Sequence, residues 1–222
     1  MQDTKKAHPV LQILASVGLA VTLFGLSFMV LLLPPVTKTL AEATISSTFS
    51  PYNDEQLVAI AVEGLQLVLG KDNVTIPYGE DEIRQFSRNV MSHMLDVRVV
   101  LQTAILVVSS ITVVTASLLV IVGFRGGKRA LSPVLIAGGI APLAAAAVFG
   151  VIGVMNFDAL FSWMHSLFFA EGTWTFAWDS LLITVYPIGF WIGMAVTWAV
   201  VLVLFSTVCM VLGFRFRATV KK

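Results

Sequence analysis

The sequence predicts an all-α integral membrane protein, a four-helix transmembrane bundle with a helical cap at the extracytoplasmic, interfacial side. Three observations carry that prediction. Hydrophobic residues make up 57% of the 222 residues and charged residues only 12%, against about 25% charged in a soluble domain. Apolar runs long enough to cross a bilayer occur four times, over about 10–33, 97–124, 131–154 and 187–214. Basic residues gather at the termini and in one short loop, as cytoplasmic segments do. The reading is of a single membrane domain, 1–222, in which 34–96 and 155–186 form the extracytoplasmic cap.

The first run, Val10 to Leu33, spans about 36 Å as a helix and exceeds the roughly 7–15 apolar residues of a signal peptide. It is therefore read as an uncleaved span, ended by Pro34 and Pro35. The faint cleavage-site look of Ala41-Glu42-Ala43 is set aside. In the polar region that follows, Asn53 with Gln56 has the form of a helix start. Leu57, Ile60, Ala61, Leu65 and Val68 recur at helical spacing, and Gly70 suits a C-terminal cap. Gly79-Glu80-Asp81-Glu82 reads as a solvated turn, and a new helix is expected from about Ser87.

The second span carries Arg98 and Gln102 near its start and ends at the loop Arg125-Gly126-Gly127-Lys128-Arg129. The third is rich in glycine and alanine, which let membrane helices approach closely, with Pro133 in its first turn and Pro142 mid-span. Between the third and fourth spans, Trp163, Trp174, Trp178 and Tyr186 lie among Phe157, Phe161, Phe168, Phe169 and Phe176. Such aromatics collect at the membrane–water interface, and Phe157 to Phe169 is read as an interfacial helix.

Charge sets the orientation. Lys5, Lys6, Arg125, Lys128, Arg129, Arg215, Arg217, Lys221 and Lys222 are nine of fourteen basic residues, all at the termini or in the central loop. Both termini are therefore expected in the cytoplasm and both polar regions outside, in a multi-pass protein of the cell membrane. A net charge of +1 offers no field for nucleic acid. The one cysteine, Cys209, lies in an apolar run and reads as an inert buried thiol.

Of three histidines, His8 lies near the N-terminus, whereas His93 and His165 both fall at the outer surface, each beside an apolar helix. Asp96 stands one turn after His93, and Asp158 two turns before His165. A carboxylate so placed would fix the tautomer of its histidine and raise its basicity. A lone interfacial histidine is usually just a tolerated polar residue; two on one leaflet suggest a shared site. Other chemistries stay open. Two histidines with Asp96 or Glu171 could form a zinc centre, although no paired-ligand motif occurs. Ser87, Ser92, Ser162 and Ser166 lack a nucleophile elbow. The aromatic cluster is a membrane belt, or an acyl slot in which Phe168 and Phe169 lie beside His165.

Three blocks resemble the lipoprotein intramolecular transacylase family, small four-span bacterial membrane proteins. Ser92-His93-Met94-Leu95-Asp96-Val97-Arg98 is similar to its entry to the second span. His165-Ser166-Leu167-Phe168-Phe169 with Trp174 and Phe176 is similar to its His-x-x-Phe-Phe…Trp-x-Phe stretch. Asp179-Ser180-Leu181-Leu182-Ile183…Pro187-Ile188-Gly189-Phe190 is similar to its Asp-x-x-Ile…Pro-Glu-x-Phe segment. Two departures are Ala170-Glu171, where the family often has Asn, and Ile188, where it has Glu.

The resemblance implies transfer of the sn-2 acyl chain of a diacylglyceryl lipoprotein to its N-terminal cysteine amine, giving the lyso-form lipoprotein. The partners are then the diacylated lipoprotein N-terminus and membrane lipid, with no cofactor and no metal. His93 is expected as the base, oriented by Asp96. His165 is expected to stabilise the oxyanion or protonate the departing oxygen, with the two roles exchangeable. Arg98, Phe168, Phe169 and Trp174 are expected to bind substrate, Arg98 holding a headgroup or snorkelling. The rival readings are a non-catalytic tetraspan subunit and a metal-dependent membrane hydrolase.

Overall fold

The computed structural model describes residues 8–48 and 50–220. Among them the regular structure is helical, with a single isolated bridge between Tyr78 and Phe86. The helices are α1 (Pro9–Leu31), α2 (Pro34–Thr44), α3 (Asp54–Val68), α4 (Arg88–Met155), α5 (Phe157–Phe168), α6 (Leu181–Val185) and α7 (Ile188–Val220). Three of these, α1, α4 and α7, contain stretches long and apolar enough to cross a membrane. Lys5, Lys6, Lys221 and Lys222, used above for orientation, lie outside the described residues.

Two expected boundaries come out differently. Pro34 and Pro35 end the first run, but they also open α2 at its first two positions. Proline is favoured there because its fixed φ suits the helix and its missing N–H has no helical partner to lose. Ala41, set in the weak cleavage pattern, is fully buried inside that helix. The loop 125–129 is reduced to one non-helical residue, Gly127, at φ +59° and ψ −156°. Only glycine adopts that backbone without strain.

The chain divides into two compact units. One comprises Met1–Met29, Leu106–Val154 and Trp198–Lys222. Its small residues do what the sequence suggests. A Cβ added at Gly139 would stand 3.0 Å from the Ser206 carbonyl oxygen, and one at Gly138 would meet Leu19 at 2.8 Å. Ser132 Oγ donates to the Gly213 carbonyl at 2.9 Å, and Thr22 Oγ1 donates to Thr115 Oγ1 at 3.2 Å. Close backbones and interhelical hydroxyl bonds are how helices associate in lipid. Outward-facing aliphatics such as Leu106, Val113, Val151 and Leu204 are well exposed. An apolar solvent suits them.

The other unit comprises Val30–Ile105 and Met155–Thr197. Its core holds Leu57, Ala61, Phe86, Val90, Leu181 and Val185, each at most 1% exposed. The helix that supplies Leu57 and Ala61 is fixed at both ends. Asn53 and Gln56 form a reciprocal capping box at the start of α3. At its other end the Lys71 N–H bonds the Gln66 carbonyl and the Gly70 N–H bonds the Leu67 carbonyl, with Gly70 at φ +104°. That is a Schellman motif, which glycine completes at least cost. Ser87 Oγ then accepts the Val90 N–H at the start of α4. Val90 and Met94, four apart, anchor the opening turns of α4 in the core. His93 lies between them.

Candidate active site

His93 and His165 are both more than nine-tenths buried, and they meet. Their ring centroids are 6.2 Å apart with planes 27° from parallel. Aromatic rings fill the rest of the surroundings. Phe169 meets His93 edge-on at 4.8 Å, and Phe176 lies at 5.5 Å. Phe161, Trp174 and Phe169 lie 3.9, 5.0 and 5.6 Å from the His165 ring.

Local sequence puts His165 there. Asn156 Oδ1 accepts the Ala159 N–H and starts α5. His165 falls in the last turn, where its Nδ1 is 2.9 Å from the carbonyl oxygen of Phe161, four residues back. A carbonyl can only accept, so Nδ1 carries the proton and Nε2 keeps a free lone pair. Below α5, Phe161 packs on Trp191 at 5.8 Å, and Trp191 donates its indole N–H to the Tyr186 carbonyl at 3.1 Å. Tyr186 donates its hydroxyl to the Ala61 carbonyl at 2.7 Å, and burial pushes its phenol well above the ordinary range. A chain of contacts therefore runs from α3 to His165.

Burial lowers the pKa of His165, opposed by the bond to Phe161. His93, which precedes the apolar run beginning at Val97, is lowered further, to about 4. Burial is the main cause, the neighbouring His165 adds to it, and the charge of Asp96 opposes both. Desolvation disfavours a cation, and two cations at this separation disfavour each other. Both imidazoles are neutral near pH 7.

The sequence model of the family described as lipoprotein intramolecular transacylase Lit matches residues 19–191. The chain belongs to that family. No curated protein matches it. Among solved structures, the membrane-integral Lit of Bacillus cereus is similar at a TM-score of 0.79 and 16% identity, over 96% of each chain. Two forms of that protein with one histidine replaced, by alanine or by arginine, align at 0.72 and 0.65. Each is 15% identical over 96% of this chain, and 94% and 92% of theirs respectively. The chain is thus an integral membrane protein of the Lit family.

The remaining expected site residues are placed as follows. Asp96 is exposed and bonds neither histidine; the Nδ1 of His93 is buried without a partner among the described residues. The influence of Asp96 on His93 is through charge alone. Asp158 is also exposed, and the Phe161 carbonyl holds His165 in its stead. Arg98 is engaged within the fold. It pairs with Asp72 at 2.8 Å and donates to the Gly70 carbonyl at 3.0 Å, tying α4 to the end of α3. Of the aromatics, Phe169 and Trp174 touch the histidines, whereas Phe168 packs on Phe169 at 6.3 Å and is 55% exposed. Among the described residues no three His, Cys, Asp or Glu side chains converge as metal ligands. Asp96 and Glu171, the candidate third ligands of a zinc centre, are both exposed.

Phe161 and Tyr186, read from sequence only as belt aromatics, turn out to hold the candidate site, together with Phe176 of the Trp-x-Phe block and with Trp191, which the sequence reading passes over. One signal was available for Phe161, since a residue four before a histidine on a helix presents its carbonyl to that side chain.

Proposed function

We propose that this chain moves the sn-2 acyl chain of a diacylglyceryl lipoprotein to the amine of its N-terminal cysteine, leaving the lyso-form. The reading is supported by membership of the Lit family and by the paired neutral imidazoles in an apolar, aromatic setting. The observation that carries the assignment of roles is the bond from His165 Nδ1–H to the Phe161 carbonyl. It leaves Nε2 as an acceptor.

The roles expected from sequence are therefore exchanged. The cysteine amine, with an ordinary pKa of about 7.7–8.0, must be neutral to attack. Its nitrogen bonds the ester carbonyl carbon, and His165 Nε2 takes the proton that the nitrogen sheds. As the tetrahedral centre collapses, the glyceryl oxygen leaves with its bonding pair and receives that proton from His165. His93, neutral, offers a ring N–H to the oxygen that carries the transient charge. Amine and ester belong to one molecule, so holding them together supplies much of the rate. Phe169 and Trp174 line the slot for the moving chain, and Phe168 faces lipid beside them.

The same reading places four spans across the membrane: α1, the two halves of α4 on either side of Gly127, and α7. Arg125, Lys128, Arg129, Arg215 and Arg217 mark the cytoplasmic side. Regions 34–96 and 155–186 form the extracytoplasmic cap that carries the histidines.

The test is mass spectrometry of lipoprotein N-termini from cells with and without this gene. The gene should convert diacylglyceryl N-termini to the lyso-form, and His165→Ala should abolish the conversion. An unchanged acyl pattern on expression sinks the proposal.

A further inference from the structure

Four buried side-chain polar atoms lack a hydrogen-bond partner among the described residues: Thr37 Oγ1, His93 Nδ1, Trp174 Nε1 and Ser206 Oγ. Two of them, on His93 and Trp174, belong to rings that pack on the ring of His165. An indole nitrogen can only donate. Leaving such a donor buried and unmatched costs about 1–3 kcal/mol, and buried polar groups without partners are uncommon enough to need a reason.

The other four tryptophans make the contrast. Trp191 donates to the Tyr186 carbonyl and Trp198 to the Phe24 carbonyl. Trp163 and Trp178 are 52% and 79% exposed. Trp174 alone carries its N–H buried and unmatched, and it does so against the imidazole that keeps a free lone pair. Its position is held by a tight turn. The Thr173 N–H closes on the Ala170 carbonyl at 3.2 Å and the Thr173 hydroxyl on the same oxygen at 2.8 Å. Gly172, third in that turn, sits at φ +80°, as the third residue of a type II turn requires. Other rings near His165, those of Phe161 and Phe169, have no donor to offer.

We propose that the indole N–H of Trp174 is a catalytic hydrogen-bond donor to the ester carbonyl oxygen of the lipoprotein, strengthening as that oxygen becomes an oxyanion. This rests on the acyl-transfer reading above. When the amine nitrogen bonds the carbonyl carbon, the carbonyl π pair moves onto oxygen, and Trp174 and His93 share the resulting charge. When the glyceryl C–O bond breaks, the pair returns and the amide carbonyl forms. In a site of low polarity, preset donors of this kind act without reorganising.

The test uses the full-length protein in detergent micelles with a synthetic diacylglyceryl lipopeptide, following N-acylated product by mass spectrometry. Two variants remove the donor: Trp174→Phe, and 3-benzothienylalanine at position 174, which keeps the indole shape and replaces N–H by sulfur. Both should lose about 10²–10³-fold in kcat, with KM within about threefold of the parent. If Trp174→Phe fails to fold, the isosteric variant decides. A parental kcat for that isostere, beside an inactive His165→Ala, overturns the role of Trp174 and leaves the acyl-transfer reading standing. Parental activity in His165→Ala as well removes both.

Discussion

The imidazole of His93 lies 6.2 Å from that of His165, 27° from parallel, and among the described residues no carboxylate bonds either ring. Both pKa values are lowered, that of His93 to about 4. Only neutral His165 can take a proton, and a lowered pKa keeps it neutral further into acid. On the proposed mechanism the group that limits attack is then the cysteine amine. For the lipopeptide reaction, kcat/KM should rise through about pH 8 with no break near 6.5, the ordinary histidine value. A clear break near 6.5 would show that an imidazole of ordinary pKa limits the rate.

The same shifts bear on stability. Unfolded histidine protonates near 6.5, so below that pH the unfolded chain holds protons that the folded one lacks. Unfolding then becomes easier as pH falls. Stability should be fully present above about 6.5 and lost progressively toward about 4. Thermal unfolding in micelles across that range would show it, and His93→Phe should flatten the curve.

Asp96 acts on His93 only through charge, and the consequence separates it from an orienting carboxylate. In Asp96→Asn the pKa of His93 should fall further, by NMR titration. At pH 7.5 the rate should change by less than about threefold, whereas neutralising a bonded triad carboxylate costs roughly 10⁴-fold.

Arg98 is expected to report on the fold. Arg98→Ala removes its bond to the Gly70 carbonyl and its pairing with Asp72, a partner that is 81% exposed. The exposed pair contributes little, and the lost hydrogen bond should cost about 1 kcal/mol. KM should not move. A large rise in KM with unchanged unfolding would return Arg98 to the substrate.

Gly64 guards the far end of the support for His165. An added Cβ there runs into the Tyr186 hydroxyl. Gly64→Ala should destabilise by about 1–3 kcal/mol through overpacking and lower kcat through displaced Tyr186 and Trp191. Tyr186→Phe alone should cost about 1 kcal/mol. Combining the two should recover part of the Gly64→Ala loss, since the obstructing oxygen is gone. No recovery would mean the clash is not what Gly64 avoids.

Sequence reasoning reached the parts of this protein that depend on neighbouring residues. The capping box of Asn53 and Gln56, the glycine stop at Gly70 and the start of α4 after Ser87 follow from local backbone chemistry. Apolar period exposed the face of α3, from Leu57 to Val68. α2 escaped because two prolines read first as a stop, although they also suit a helix start. The pairing of His93 with His165 depends on how two distant segments pack, which local spacing does not encode. Helical spacing points to Asp96 and Asp158 as orienting groups; spacing does not encode that a side chain turns outward to water. The Phe161 carbonyl, a backbone atom, has no letter in the sequence to announce it.

That carbonyl has one last effect. With Nδ1 occupied, the proposed mechanism has His165 meet its substrate through a single nitrogen. Whatever it accepts it must hand on from the same edge of the ring, so amine and glyceryl oxygen have to visit that edge in succession. The acyl group need travel hardly at all; it is the two ends of the lipopeptide headgroup that must trade places around a stationary turnstile.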